Sequence, residues 1–495
     1  MRGTAAATYC LFESTKQKGL TMEPKELNKK MEDHALEPVP DAERQNWLRL
    51  SWNTAGIVTT LIQLFLGALV AFVAGIQIAI LSGVFVVVVG FLMGWGVGHI
   101  GYRKGCSSTL ISRTYGLGIK GSILASAIFG FMIIGFLAIE NALLYKGFLF
   151  FFEMQDTLLN QVVIYGLMTV AWVLLTAFGF ELVARVSSVT LIAFLLVLLW
   201  MVVDIIAGSD QSFMQALTFG TQLPPDAIAA MGIDSTADKF IFCINVLIGS
   251  AGALALVDGD FGRYAKRSRD IGIAALIGNI SMSLLMLTVG GIVMFAGMAS
   301  IVDYFVTVRG MDVMAAQQLA LQSPDSIASA FIIFGGVIGA VLMILAQSKA
   351  QVLNTYSGSL ALTNLADVAF NWRPGRIVFV VLANVIGLIM LYGEILALVN
   401  AWITILGVMT TALAMVMICD YFIVRPRLGE LDVSAHRPDV INWSGVISIV
   451  VATILAHYVL NQYQPIEFFT SALTVLILYP TLRLLTNRTM RTRMA

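Results

Sequence analysis

Charge is what this sequence lacks. Asp, Glu, Lys and Arg make up 12% of its 495 residues, about half the share found in soluble domains. That excludes a soluble globular class. The formal net charge of zero leaves no basic excess for nucleic acid. Histidine is scarce too: His34 lies in the N-terminal segment, His99 and His436 near predicted membrane borders, and His457 within a predicted span. No HExxH, GxSxG or Walker sequence occurs, so the sequence supports neither a membrane hydrolase nor an ATP-driven pump. The cysteines Cys10, Cys106, Cys243 and Cys419 have no paired spacing, which argues against a disulfide or metal framework. Residues 1–46 contain no apolar core of signal-peptide length. No cofactor is expected.

What the sequence has is apolar length: 58% of it is hydrophobic, and runs of about 20 apolar residues cross a bilayer as helices. Twelve such runs are read, at 51–74, 77–99, 122–145, 161–179, 187–207, 239–257, 271–297, 328–356, 376–392, 395–418, 442–460 and 467–485. The expected fold is an all-α polytopic membrane protein with twelve transmembrane helices. A flexible tail covers 1–46, helices one to nine 47–392, helix ten 395–418, two accessory helices 442–485 and a second tail 486–495. Gly393 suits the tight turn between helices nine and ten. With the N-terminal tail placed inside, 26 of the 30 Lys and Arg fall in inner segments. Lys146, Lys239 and Arg309 fall outside, and Lys349 falls within a span. This asymmetry predicts an inner-membrane protein with both termini cytoplasmic. The outer loops at 208–238 and 298–327 are long enough for short surface helices. With no nucleotide-binding unit, an ion gradient is the remaining energy source, so secondary transport is the natural reading.

The few polar residues at membrane depth carry the rest of the argument. The stretch Ala340 to Leu360 holds Gln347, Ser348, Lys349, Gln351 and Asn354. An ammonium at the bilayer centre costs about 2.5–3.5 kcal/mol, so Lys349 must face protein or a watery path. It is either a functional cation or a structural partner for a carboxylate. In helix three, Phe136 and Glu140 are four apart and share a face. An aromatic plate beside a carboxylate suits a flat ligand with N–H donors, or a cation. The alternative is a lipid-facing Phe136 with Glu140 snorkelling outward. Helix six contains Gly249-Ser250-Ala251-Gly252, and helix one contains Gly56, Thr59, Thr60, Gln63 and Gly67. These lie five helices apart, as inverted five-helix repeats with broken helices require. The same residues also suit close helix packing without any break. At the inner mouth, Asp258, Asp260, Arg263 and Arg185 form either a gate of ion pairs or an ordinary charged border. A channel would call for rings of like charge or carbonyl filters, and a single asymmetric Lys–Glu–Asn set argues against one.

Several segments resemble the nucleobase:cation symporter-1 family of purine and cytosine permeases. STLISRTYGLGIKGS (Ser108 to Ser122) is similar to the family's Arg–aromatic–Gly–Gly loop into helix three. GSAGALALVDGDFGRYAKRSRD (Gly249 to Asp270) has the Asp–Phe–x–Arg–aromatic pattern at Asp260, Phe261, Arg263 and Tyr264; NTYSGSL in helix eight and INWSGV at helix eleven resemble it as well. The resemblance implies a leucine-transporter-like core of five plus five inverted helices with two C-terminal additions. The substrate would lie between helices one, three, six and eight. Phe136 would stack on it, with Glu140 and Asn354 bonding it, Gln63 within reach, and Gly249 and Ala251 on the helix-six side. Ala251 replaces the family's second stacking aromatic. The family's sodium ligands are helix-one carbonyls and two helix-eight positions occupied here by Ser348 and Lys349. A lysine offers donors and no acceptor, so Lys349 is expected to supplant sodium. Burial disfavours the charged form of a lysine, giving it a route to exchange protons. The coupling ion expected is therefore the proton, with ion-independent exchange or sodium as the alternatives. The partners expected are a small nitrogenous solute and the lipid bilayer, with no nucleic acid, and the protein a monomer or weak oligomer. The substrate stays open among cytosine, purines, hydantoins, allantoin, pyridine-type vitamins and amine-bearing or zwitterionic solutes.

Overall fold

The computed structural model describes residues 34, 36–177, 180–209, 211–322, 325–393, 395, 398–430 and 438–494. Most of the N-terminal tail lies outside them, and of Arg185 only the helical backbone is described. The first apolar run is two helices, α1 (Trp47–Val58) and α2 (Leu61–Ala74), bent by 66°. Then come α3 (Ile76–Lys104), the short α4 (Ser108–Thr114), α5 (Ser122–Phe151), α6 (Leu158–Ala177) and α7 (Phe180–Gly208). The outer loop at 208–238 carries α8 (Phe213–Ala216) and α9 (Pro225–Ala230), as its length predicted. Next are α10 (Thr236–Gly262), α11 (Ser268–Ile280), a π-turn at Ser281–Met286, α12 (Leu287–Thr307), the outer-loop helix α13 (Val313–Gln322) and α14 (Asp325–Phe370). α15 (Arg376–Tyr392), α16 (Val399–Cys419), α17 (Arg425–Leu428), α18 (Trp443–Ile454) and α19 (Glu467–Met494) complete the chain.

Among the described residues nine helices are long and apolar enough to cross a bilayer, and the bent pair α1–α2, taken together, has the length and composition of a tenth. Two shorter apolar helices, Arg376–Tyr392 and Trp443–Val459, accompany them. The predicted helix-eight run ends too early: α14 continues from residue 356 to Phe370 and is kinked at Gly336, whose φ of 51° a side chain rarely tolerates.

The break in helix one falls at Thr59 and Thr60, both non-helical and Thr60 extended (φ −130°, ψ 167°), and not at Gly56. Two adjacent β-branched residues are stiff and weak helix formers. Helix six, by contrast, has no break. α10 runs unbroken through Gly249-Ser250-Ala251-Gly252, so the interruption expected there is absent and close packing explains the glycines. A Cβ on Gly249 would come within 2.3 Å of the Ile403 carbonyl on α16, and one on Gly252 within 2.4 Å of Thr410 Oγ1.

Packing divides the helices into two groups: α10 lies along α3 and α16, with α11 and α12 against α1, α2 and α3, while α14 lies along α5, α7 and α15. The site lies between them. Segments that the charge pattern assigns to one side are joined to each other. The Gln45 N–H donates to Tyr264 O and its carbonyl accepts from Lys266 N (3.0 Å); Ile119 N donates to Asp439 O (2.8 Å). Arg113 pairs with Asp367 at 2.6 Å.

Candidate functional site

A broken helix leaves carbonyls unpaired at one end and N–H groups at the other, with partial negative and positive charge respectively. In the α1–α2 break the carbonyl pole meets a side chain of opposite sign. Lys349, on α14 and 1% exposed, donates from Nζ to Gly56 O (3.0 Å), to Thr59 Oγ1 (2.7 Å) and to the Thr59 carbonyl. The Phe194 ring of α7 lies 4.6 Å from the ammonium, a cation–π distance. Thr59 Oγ1 passes its own hydrogen to Ala55 O (2.8 Å), which leaves its lone pairs to the lysine. On the other side, the buried Glu140 carboxylate lies on the wall of a cavity that Thr60, at the break, also lines. Glu140 is also the acid whose charge acts on Lys349. Lys349 therefore faces inward, and Glu140 does not snorkel.

Beside the break lies a cavity of about 40 Å³, lined by Thr60, Gln63, Phe136, Glu140, Ser250 and Asn354 among others. At roughly 10–15 Å³ per water it has room for about three waters, so this conformation is contracted around the site. Phe136 meets Trp402 of α16 edge-on, with centroids 4.9 Å apart and planes at 79°. Gln63 Nε2 donates to Ser250 Oγ at 3.2 Å. The structure thus brings Phe136, Glu140, Asn354 and Gln63 to one cavity, with Lys349 behind the helix-one break.

Three expected residues stand elsewhere. Gly249 and Ala251 are not on the cavity wall: Gly249 packs on Ile403, and Ala251 against Gly90 of α3. Their neighbour Ser250 reaches the cavity in their place, followed one turn on by Ala253 and Leu254 and two turns on by Val257. The Ser348 hydroxyl donates to Ile344 O (2.7 Å) in its own helix and takes no part in the Lys349 cluster. Phe194 and Trp402 were not singled out by the sequence, because an aromatic in an apolar run looks the same whether it faces lipid or site. The inner-mouth residues are also arranged differently from a simple ion-pair gate. Asp260 accepts from Ser108 N (2.7 Å), and Asp258 is enclosed against Gly94. Arg263 donates to the Tyr356 hydroxyl, to the Tyr264 hydroxyl (3.3 Å) and to His34 O (3.1 Å). Among the described residues no group of three or more His, Cys, Asp or Glu is placed to hold a metal.

With that geometry in place, the relatives can be compared. In sequence, residues 38–477 match the family of permeases for cytosine/purines, uracil, thiamine and allantoin. No curated protein matches the chain. In structure, it is similar to Mhp1, a nucleobase-cation-symport-1 family transporter, in a closed conformation with bromovinylhydantoin bound. That likeness has a TM-score of 0.66 at 16% identity and covers 91% of this chain and 95% of that one. It is similar too to a Na+-coupled sialic acid symporter in a substrate-bound outward-open state (TM-score 0.59, 11% identity, 92% and 94% covered). A third likeness is to MhsT in complex with L-phenylalanine (TM-score 0.55, 14% identity, 88% and 99% covered). These likenesses give the chain a leucine-transporter-type fold. The family match covers most of its length, and the chain belongs to the cytosine/purine permease family of membrane transporters.

Proposed function

We propose that the chain imports a small nitrogenous ring solute, a nucleobase or related N-heterocycle, across the inner membrane by alternating access, with both termini cytoplasmic. We further propose that the coupling ion is a proton and that Lys349 stands where a sodium ion would. The observation that carries this reading is the ammonium of Lys349 donating to Gly56 O, Thr59 O and Thr59 Oγ1. Main-chain carbonyls and a hydroxyl are hard oxygen donors of the kind that bind small cations. A tethered +1 charge fills their centre, so the cation cannot leave, but its proton can. Rocking of α1–α2 away from α14 removes those acceptors and favours proton release. Phe136 supplies an apolar face for the ring, while Glu140 and Asn354 supply hydrogen bonds.

The test uses purified protein in liposomes with an imposed pH gradient, with and without sodium. Uptake is expected to follow the pH gradient and ignore sodium, and Lys349→Ala should abolish gradient-driven accumulation. Sodium-stimulated uptake by the wild type, or unchanged gradient-driven uptake by the variant, overturns the proton reading. A second reading, an amine-bearing or zwitterionic solute, is favoured by the carboxylate of Glu140 on the cavity wall. Thermal-shift screening against nucleobases and amines separates the two.

A further inference from the structure

Two glutamines on α14, Gln347 and Gln351, are one turn apart and grip α5 in the same way. Gln347 Nε2 donates to the main-chain oxygen of Glu140 (3.0 Å) and to its carboxylate. Gln351 Nε2 donates to Leu137 O (2.8 Å) and to Asn141 Oδ1 (2.6 Å). Both glutamines are fully buried. A main-chain carbonyl only accepts, so each glutamine's amide is held one way round. Asn141 is held in turn, because the Trp172 indole N–H, a donor only, bonds its Oδ1 at 2.9 Å.

The consequence reaches the ligand. The two committed hydrogens fix where Gln351 Oε1 lies, and that oxygen, an acceptor only, accepts from Asn354 Nδ2 at 3.3 Å. Asn354 is left with one N–H and its carbonyl oxygen for the cavity, in a fixed order. Glu140, held on one carboxylate oxygen by Gln347, keeps acceptor lone pairs for the cavity it lines. The geometry points to Gln347 and Gln351 as positioning residues that select the substrate. The site takes a flat ring with an N–H donor for Glu140 and a neighbouring donor–acceptor edge for Asn354, as in cyclic amides, ureides and aminopyrimidines. Rings whose nitrogens are all alkylated are rejected. This inference rests on the proposed ring-binding role of the cavity.

The experiment is competition in proteoliposome counterflow and in thermal shift of the full chain. The probes are 4-amino-2-oxopyrimidine, its 2,4-dioxo counterpart and the fully N-methylated dioxo ring. Wild type should rank the first two apart and reject the methylated ring by about tenfold or more, since a site built for hydrogen bonds penalises their loss. In Gln351→Met the Asn354 amide is free to turn over, and the first two rings should converge in KM. A purely structural role lowers kcat for both alike and leaves the ranking intact. Trp172→Phe keeps an aromatic ring but removes the indole N–H that holds Asn141, and tests the same chain of bonds where Gln351→Met does not accumulate. A ranking that stays as in wild type, in whichever variant folds, overturns the assignment. If no ring competes in the wild type, the ring-binding role itself fails instead.

Discussion

In helix one and in helix six, small and hydroxyl residues interrupt an apolar run five helices apart, yet the two runs take different shapes. α1–α2 bends by 66° at Thr59–Thr60, and the freed carbonyls find a charged partner in Lys349. α10 stays straight through Gly249-Ser250-Ala251-Gly252, and its glycines meet α16 at distances that leave no space for a side chain. The lesson is energetic. A break at membrane depth strands carbonyls and N–H groups away from water, at several kcal/mol per unsatisfied group, so it persists only where other groups satisfy them. Helix one has such partners. Helix six has a neighbouring helix instead.

The comparison can be sharpened by substitutions on each side. The larger effect is expected from Gly249→Ala, whose new Cβ would lie 2.3 Å from the Ile403 carbonyl. Overpacking of that kind costs about 1–3 kcal/mol. Thermal unfolding should show the loss, while substrate affinity per folded molecule stays within about twofold, because the residue packs and does not bind. A variant as stable as wild type but with lost affinity would return Gly249 to the site. The smaller effect is expected from Thr59→Val, which keeps the shape and deletes one of the acceptors of Lys349. One hydrogen bond to a charged group is worth about 1.5–3 kcal/mol at most, and here two carbonyl acceptors remain. A modest drop in stability with a change in the pH dependence of uptake is expected. An unchanged pH profile would contradict a working contact between Thr59 and Lys349.

Much of the fold was legible because it rests on length and hydrophobicity. Most apolar runs coincide with a helix, 376–392 with α15 to the residue, while the helices of the seventh and eighth runs continue beyond 297 and 356, to Thr307 and Phe370. That Lys349, Glu140 and Asn354 face the interior was legible too, since a polar residue in hydrocarbon needs a reason to be there, and Phe136 followed from sharing a helix face with Glu140. Other features were not. Glycine-rich stretches read alike whether a helix breaks or packs closely, and only the neighbour at Ile403 decides between them. The break at Thr59–Thr60 depends on Lys349, nearly 300 positions away, to satisfy it. The roles of Phe194, Trp402 and Trp172 depend on which way their helices are rotated, and uniformly apolar helices carry no such mark. The direction in which Gln347 and Gln351 donate is set by main-chain carbonyls that no side-chain pattern reveals.

The account turns on whether the ammonium of Lys349 has taken a cation's place at the helix-one carbonyls. The direct measurement is a sodium titration of thermal stability, with a fixed nucleobase present, for wild type and Lys349→Thr in parallel. The wild type should not respond to sodium, since its own charge fills the oxygen cluster. The threonine variant, with a hydroxyl in place of the ammonium, should gain a saturable sodium-dependent rise in stability. A wild type stabilised by sodium, or a threonine variant indifferent to it, would contradict the claim.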